Sequence, residues 1–346
     1  MKNKMMAAGL ALGLVAQPAL AAPQEIDVAL TFPKDLVYFG DGAKHMAGML
    51  EVISDGDIKL NIHGAGDLVP ALEVFNSVSS GAIPAGWDYI GYWAGIVPVS
   101  GLVGAMPFGP SPQVLLGWML DGGGLEIIQR AYDEYNIKLL PCHLTAPEAG
   151  GWFNKEINTP EDLNGLKMRI SGLGGKVLNK LGASTQLIPA GEIYVALERG
   201  RIDATEFSLP VIDKQLGFAS VAKYYYFPGW HQPSTWNSMI INKDVWSSFD
   251  TRQQEMIWTA CMATVTWSVQ VAQGRQADIL EGFEAEGVEV RRFPDSVLDA
   301  LRTASTEVLE EEAASDPYFQ EAYESLKSYI AKAGRYEALQ YIPAAK

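Results

Sequence analysis

The sequence contains an arginine in a position suited to binding an acid. Arg169 lies near the end of the apolar stretch Leu166–Ile170, which is predicted to form a strand, and a glycine-rich stretch follows it. Ligands of α/β proteins bind at strand ends. A guanidinium there can hold a carboxylate with two parallel hydrogen bonds, each contributing about 1.5 to 3 kcal/mol when water is excluded. On spacing alone, a structural salt bridge is the commoner role for such an arginine.

Two glutamates, Glu148 and Glu206, are predicted at the ends of other strands. Each alone would be a solvated loop charge. Together with a ligand carboxylate they would bring three negative charges into one site, which requires a cation. Oxygen ligands of this kind suit Ca²⁺ or Na⁺. The alternative is the acid and base of a secreted hydrolase, but the sequence does not give the distance between the carboxylates that defines such a pair.

The glycines of Gly172–Lys176 could expose backbone N–H groups to an anion. No Ser or Thr follows Lys176, and the third glycine of a dinucleotide motif is missing, so we do not expect a nucleotide. Aromatic residues are concentrated at 87–93 and 224–236, where core packing is their common role. Phe227–Pro233 has the composition of an irregular loop, and loop aromatics often line pockets.

The overall composition excludes several partners. The chain has 26 basic and 41 acidic residues and a net charge of −15, which repels nucleic acid and anionic lipid. The four histidines are scattered, so a histidine-based zinc site is not expected. The two cysteines, Cys142 and Cys261, could form a disulfide in an oxidising compartment or remain two buried thiols.

The first residues have the pattern of a secretory signal. Lys2 and Lys4 precede the apolar run Met5–Ala16, and the small-residue site Ala19–Ala21 follows. An apolar run of about 12 residues is too short to cross a bilayer, which needs roughly 20. We therefore expect export to the periplasm and cleavage near Ala21.

Short apolar runs alternate with helical patterns along the rest of the chain, which predicts an α/β fold with largely parallel sheets. Residues 251–286 contain no proline and would form one helix of about 36 residues, roughly 54 Å long. Such a helix would run along both halves of the molecule as a spine. The alternative is two helices broken near Gly274.

The predicted organisation is two lobes that follow a signal peptide at residues 1–21. Lobe I comprises residues 22–145 and about 234–276. Lobe II, with the C-terminal helices, comprises 146–233 and about 277–346.

Several ordered segments resemble the extracytoplasmic solute receptors of TRAP (tripartite ATP-independent periplasmic) transporters, and most closely the subgroup that binds 2-oxo acids or lactate with a metal ion. The resemblance covers nearly all of the chain after the signal. The matching segments are Gly64–Ala71, Tyr92–Gly95, Pro107–Gly109, Asp121–Gly124, Gly150–Phe153, Leu166–Ile170, Ile193–Glu206 and Tyr224–Trp230.

The resemblance implies a periplasmic-binding-protein-like fold with a ligand cleft between two lobes and a spine helix. Arg169 matches the arginine that binds the substrate carboxylate. Glu206 matches the acidic metal ligand of the subgroup, and Phe207 a residue that offers its backbone carbonyl. Glu148 stands where glutamine is usual, and the added charge should favour Ca²⁺ over Na⁺. The residues expected to contact substrate are Arg169, Glu148, Tyr92, Trp93, Phe207, Trp230 and His231.

Phe207 in place of tryptophan, and His231 after Trp230, depart from the family pattern and leave the exact acid open. The resemblance implies a receptor that is not an enzyme and that passes a small carboxylate to membrane permease subunits. A sensory subunit is a further alternative. Some members pair through a swapped C-terminal helix, and the helical tail after Pro294 would allow such a homodimer.

Overall fold

The computed structural model describes residues 23–340, so the predicted signal peptide lies outside the described residues. Within this range no helix combines the length and the apolar character needed to cross a membrane. The strands are β1 (Gln24–Leu30), β2 (Ile58–His63), β3 (Ala85–Tyr89), β4 (Ile137–Thr145), β5 (Gly151–Phe153), β6 (Lys167–Arg169), β7 (Ser184–Gln186), β8 (Ala204–Thr205), β9 (Tyr224–Phe227), β10 (Thr235–Asn242) and β11 (Glu289–Arg292).

Helices cover the two sheets that these strands form. They are α1 (Phe39–Ile53), α2 (Val74–Ser79), α3 (Pro98–Ala105), α4 (Pro112–Leu120), α5 (Gly124–Asp133), α6 (Gly172–Lys180), α7 (Ala190–Glu198), α8 (Pro210–Leu216), α9 (Lys243–Ser247), α10 (Thr251–Val271), α11 (Gln276–Ala285), α12 (Asp295–Ser315) and α13 (Pro317–Gln340). This mixed α/β architecture with two separate sheets agrees with the predicted fold class.

The first sheet has the strand order β2-β1-β3-β10-β4, and the second has the order β11-β9-β5-β8-β6-β7. The chain passes from the first sheet to the second between Thr145 and Gly151, and returns between Phe227 and Thr235. Both passages are short, so the loops 146–150 and 228–234 lie where the sheets meet. The exact lobe boundaries stay a prediction.

The prediction of largely parallel sheets is confirmed except for one reversed strand in each sheet, since all the other strands of a sheet run in the same direction. β10 runs antiparallel to both β3 and β4, and β5 runs antiparallel to both β8 and β9. β5 and β10 are the first strands that the chain forms after each passage. They therefore enter their sheets without the helical crossover that a parallel neighbour requires.

The single helix predicted over residues 251–286 is wrong, and the alternative of two helices broken near Gly274 is confirmed, because the chain breaks at residues 272–275 into α10 and α11. α10 packs against α1 and β4, whereas α11 packs against α8 and β11. One straight helix cannot follow both surfaces. Gly274 lies in the break, where its low helix propensity, about 1 kcal/mol below that of alanine, makes the interruption less costly. α10 remains a long helix along the back of the first sheet.

The C-terminal helices pack on their own chain. α12 lies on α6, and α13 contacts α3, α4 and α5. Arg130 pairs with Glu321 at 2.6 Å, and the indole of Trp118 donates to Ser325 at 3.1 Å. Pairing of two chains through this tail stays a prediction.

The two cysteines form a disulfide, which resolves the alternative that the sequence left open. Cys142 in β4 is bonded to Cys261 in α10, across 119 positions of the chain. The bond ties the long helix to the edge strand of the first sheet.

Candidate functional site

A small cavity lies where the two sheets meet. Its volume is about 10 Å³, close to the minimum that one water molecule needs. The structure is therefore in a tightly closed conformation, and side chains from both sheets and from the connecting loops surround the cavity. The lining residues are Phe32, Phe39, Tyr89, Tyr92, Glu148, Arg169, Ser171, Phe207, Gln232 and Thr235.

Arg169, the last residue of β6, reaches this cavity with a fully buried side chain. Its Nε donates to the backbone oxygen of Ile188 at 3.1 Å. Nη1 donates to both a carboxylate oxygen and the backbone oxygen of Glu206, at 2.7 and 2.8 Å. Among residues 23–340, Nη2 has only a long contact of 3.4 Å, to the hydroxyl of Tyr92. The guanidinium is thus fixed on one side, while Nη2 is available to an anion.

Glu206 follows β8, and its Oε1 accepts from Arg169 and from the backbone N–H of Ser171 at 2.8 Å. Its Oε2 lies 3.4 Å from Nε2 of His231, which is within ion-pair distance but lacks hydrogen-bond geometry. Burial acts to raise the pKa of this carboxyl. The Arg169 charge and the surrounding donors outweigh that effect and hold its pKa below the usual range.

Glu148 lies in the first passage between the sheets and is 4 % exposed. Its Oε1 accepts from the hydroxyl of Ser208 at 2.9 Å, whereas Oε2 has no hydrogen-bond partner among the described residues. Burial, and next the charge of Glu206, raise the pKa of Glu148 well above its usual value. Without a cation nearby, ionisation of both carboxylates is costly.

Glu148, Glu206 and His231 lie close enough together to hold a cation. Each offers one ligand atom, and the three atoms lie within 4.8 Å of one another. The Oε2 atoms of both glutamates, both ring nitrogens of His231 and Oε1 of Gln232 are buried without hydrogen bonds. Buried polar atoms normally have partners, and a cation would satisfy several of these acceptors at once.

Two of the aromatic residues expected at the ligand are not on the cavity wall. Trp93 packs against Phe75, and its indole N–H donates to the buried carboxylate of Asp88. These contacts hold the turn that carries Tyr92, and the contact of Trp93 with substrate stays a prediction. Trp230 lies behind His231 and packs against Phe108, outside the cavity lining.

The remaining predicted residues meet at one place. Glu148, Arg169, Phe207 and Tyr92 line the cavity, and Glu206 lies against Arg169. The ring of Phe207 lies 5.2 Å from the guanidinium carbon of Arg169. His231, predicted to contact substrate but not a metal, forms a group with the two glutamates.

Several lining residues were missed by reasoning from the sequence, although some had a detectable signal. Phe32 follows the first strand and Ser171 follows β6, so the strand-end rule that indicated Arg169 applies to both. Gln232 lies beside His231 in the second passage. Tyr89 ends β3 and lies in the aromatic stretch 87–93, so the same rule applies to it. Phe39 gave no signal, because buried aromatics are typical of any core.

Comparison with known proteins relates the chain to bacterial solute receptors. The sequence model of the bacterial extracellular solute-binding protein family 7 (DctP) matches residues 32–316. A monocarboxylate 2-oxoacid-binding periplasmic protein of Nostoc sp. (strain PCC 7120) is 34% identical over 299 residues, which are 86% of this chain and 82% of that protein.

Two solved structures of TRAP periplasmic solute-binding proteins are also similar. The protein from Colwellia psychrerythraea, with bound calcium and pyruvate, has a TM-score of 0.87 and 36% identity over 92% of this chain and 97% of that one. The protein from Pseudoalteromonas atlantica, with bound sodium and pyruvate, has a TM-score of 0.87 and 34% identity over 93% of this chain and 100% of that one.

Proposed function

Because the chain belongs to the bacterial extracellular solute-binding protein family 7, the solute receptors of TRAP transporters, we propose that it captures a short 2-oxo or 2-hydroxy monocarboxylate with a metal ion. The observation that carries this proposal is the pair of buried glutamates beside a buried arginine. Glu148 and Glu206 each keep an unpaired oxygen, and Arg169 keeps a guanidinium nitrogen for an anion.

The ligand class follows from chelation and size. A carboxylate with an adjacent keto or hydroxyl oxygen can bind one ion through two oxygens while Arg169 holds the carboxylate. Aromatic residues such as Phe32, Phe39 and Tyr92 enclose the small space beside Arg169, which favours a short acid over a long one. The Nostoc relative, named for 2-oxoacids, and the two pyruvate-bound structures support this class.

We propose Ca²⁺ as the preferred ion on the basis of charge. Glu148, Glu206 and the ligand carboxylate supply three negative charges, and Arg169 supplies one positive charge. A divalent ion makes the buried set neutral, whereas Na⁺ leaves one net negative charge in a site of low dielectric. The carbonyl oxygen of Phe207 would complete the oxygen ligands, with Gln232 and His231 adjacent. Bound here, the cation would supply positive charge and oxygen coordination for the ligand.

The proposed mechanism is capture without chemistry. The open cleft admits the acid, Arg169 and the ion neutralise it, and the lobes close because the complete contacts exist only in the closed state. The receptor then delivers the acid to membrane permease subunits. It would act in the periplasm after cleavage near Ala21.

The first experiment is calorimetric titration of the mature protein with pyruvate in calcium, sodium and metal-free buffers. We expect calcium to strengthen pyruvate binding by at least about tenfold over metal-free buffer, because it removes the repulsion among three carboxylates. Glu148→Gln should reduce the calcium dependence, and Glu156→Gln, at a partly exposed surface pair with Arg291, is the matched control. Equal pyruvate affinity in all three buffers would contradict the proposed role of a metal ion. Consumption of pyruvate would contradict the proposal that the protein binds its ligand without catalysis.

A further inference from the structure

A third buried carboxylate lies behind the site. Asp213 in α8 is 1 % exposed and does not line the cavity, and within the described part of the chain it forms no salt bridge. Its Oδ2 accepts from the indole N–H of Trp152 and from the hydroxyl of Tyr225, both at 2.9 Å. Its Oδ1 accepts from the backbone N–H of Ser208 at 3.2 Å.

The three donors explain why a carboxylate occupies this position. An aspartate is acceptor-only when ionised, so it can accept from Trp152, Tyr225 and Ser208 at the same time. An asparagine has one oxygen and one NH₂ group, and the NH₂ group would face a donor on one side or the other. The two aromatic donors are firmly placed, because Trp152 and Tyr225 are paired across β5 and β9 with stacked rings 4.0 Å apart.

Ser208 connects this carboxylate to the ion site. Its backbone N–H is held by Asp213, and its hydroxyl donates to Oε1 of Glu148 at 2.9 Å. The backbone oxygen of Ser208 also accepts from the N–H of Ala149, at 3.3 Å, next to Glu148. Ser208 therefore holds Oε1 of Glu148 and leaves Oε2 without a hydrogen-bond partner among the described residues.

We propose that Asp213 is a positioning residue for the ion site: through Ser208 it orients the Glu148 carboxylate, so that one oxygen is reserved for the cation. The inference rests on the proposed function, since it assigns a role within the same site. Partners behind metal ligands typically change metal affinity by about 10- to 100-fold when they are mutated.

The test is a double-mutant cycle with Ca²⁺ as the titrant and pyruvate in fixed excess. Asp213→Asn should weaken Ca²⁺ binding by about tenfold or more, and Ser208→Ala should have an effect of similar size. Because Ser208→Ala already removes the connection, adding Asp213→Asn to it should cost less than about threefold in Ca²⁺ affinity. A purely structural role for Asp213 predicts the same loss in both backgrounds.

A milder pair of variants addresses the case in which Asp213→Asn does not fold. Tyr225→Phe removes one donor to Asp213 and keeps the ring. Tyr226→Phe is the matched control, because the hydroxyl of this neighbour in β9 accepts from the backbone N–H of Ile157 at 2.9 Å and is not a donor to Asp213. Only Tyr225→Phe should weaken Ca²⁺ binding.

The outcomes separate this inference from the proposed function. Suppose that wild-type protein binds Ca²⁺ with pyruvate, but Tyr225→Phe and Tyr226→Phe have the same Ca²⁺ affinity, or the double-mutant cycle is additive. Asp213 then has no positioning role, and the receptor proposal is unaffected. If wild-type protein does not bind Ca²⁺ at all, the metal-dependent function fails, and the role of Asp213 fails with it.

Discussion

At the scale of single residues, the site is built from charges that cannot all be satisfied by one another. Arg169 and Glu206 form a buried ion pair with a separation of 2.7 Å, and Glu148 lies nearby without a cation of its own. Such a pair need not add stability, because the cost of removing both charges from water can exceed their attraction. Its value here is that the guanidinium is already oriented when an acid arrives.

Substitution of Arg169 tests this orientation. We expect Arg169→Ala to weaken pyruvate binding by at least about 100-fold, since it removes charged hydrogen bonds and leaves Glu206 buried without its partner. Arg169→Lys should weaken pyruvate binding less, because lysine keeps the positive charge but cannot form two parallel hydrogen bonds. Titration calorimetry measures both variants. Arg130→Ala, at an exposed pair with Glu321, is the control. If Arg169→Ala binds pyruvate within threefold of the wild-type affinity, Arg169 does not hold the ligand.

The sequence could predict that Glu148, Arg169 and Glu206 converge, because strand ends of an α/β fold meet at one edge. It could not predict which aromatic side chains reach the cavity. Tyr92 and Trp93 are adjacent in the chain, yet the turn that carries them places one ring at Arg169 and the other against Phe75. That choice depends on tertiary packing and not on residue type.

At the scale of elements, the passages between the sheets determine the site. Glu148 lies in one passage and His231 and Gln232 lie in the other, and the two are joined by a hydrogen bond from the N–H of Glu148 to the backbone oxygen of Gln232 at 3.3 Å. Short apolar runs in the sequence predict where the strands lie. Strand direction and the break between α10 and α11 depend on which sheet each segment covers, which local periodicity does not encode.

The disulfide connects β4 with α10, and its removal should affect stability but not ligand binding. Changing both Cys142 and Cys261 to alanine should lower the free energy of unfolding by about 2 to 4 kcal/mol, because a long loop in the unfolded chain is no longer closed. Pyruvate affinity should stay within about twofold, since neither cysteine lines the cavity. Urea unfolding measures the first effect and calorimetry the second.

Wild-type protein with the bond reduced is the matched control, because it keeps both sulfur atoms. Equal unfolding free energies for reduced and oxidised wild type would show that the bond between β4 and α10 does not stabilise the fold.

At the scale of the whole molecule, the net charge of the protein opposes the proposed binding of an acid. The net charge of −15 repels an anionic ligand at long range, and salt screens that repulsion beyond about 8 Å at physiological ionic strength. Capture therefore relies on local positive charge, from Arg169 and from the ion, within a water-excluding cleft. The same burial that makes these charges effective leaves several acids with raised pKa values.

Three buried acids make the ion-free protein sensitive to pH. Burial raises the pKa of Asp88 to about 6 and that of Asp213 to about 7, and burial with the Glu206 charge raises the pKa of Glu148. An acid whose pKa is higher in the folded state contributes stability at low pH, which is lost as pH rises from the unfolded toward the folded value. His143 acts in the opposite direction, because burial lowers its pKa to about 3. His45, whose pKa burial also lowers, adds a smaller effect of that sign.

The acids outnumber the histidines, so the free energy of unfolding of the ion-free protein should fall by about 1 to 2 kcal/mol between pH 5 and pH 6.5. Urea denaturation in chelator at both pH values measures it, with Asp88→Asn as a variant that should reduce the fall. Calcium with pyruvate should stabilise the protein more at pH 6.5 than at pH 5, because an ion binds only the ionised Glu148 and its binding to the folded state adds directly to stability. A rise in ion-free stability over this interval would mean that these carboxyls are ionised in the closed protein without a cation.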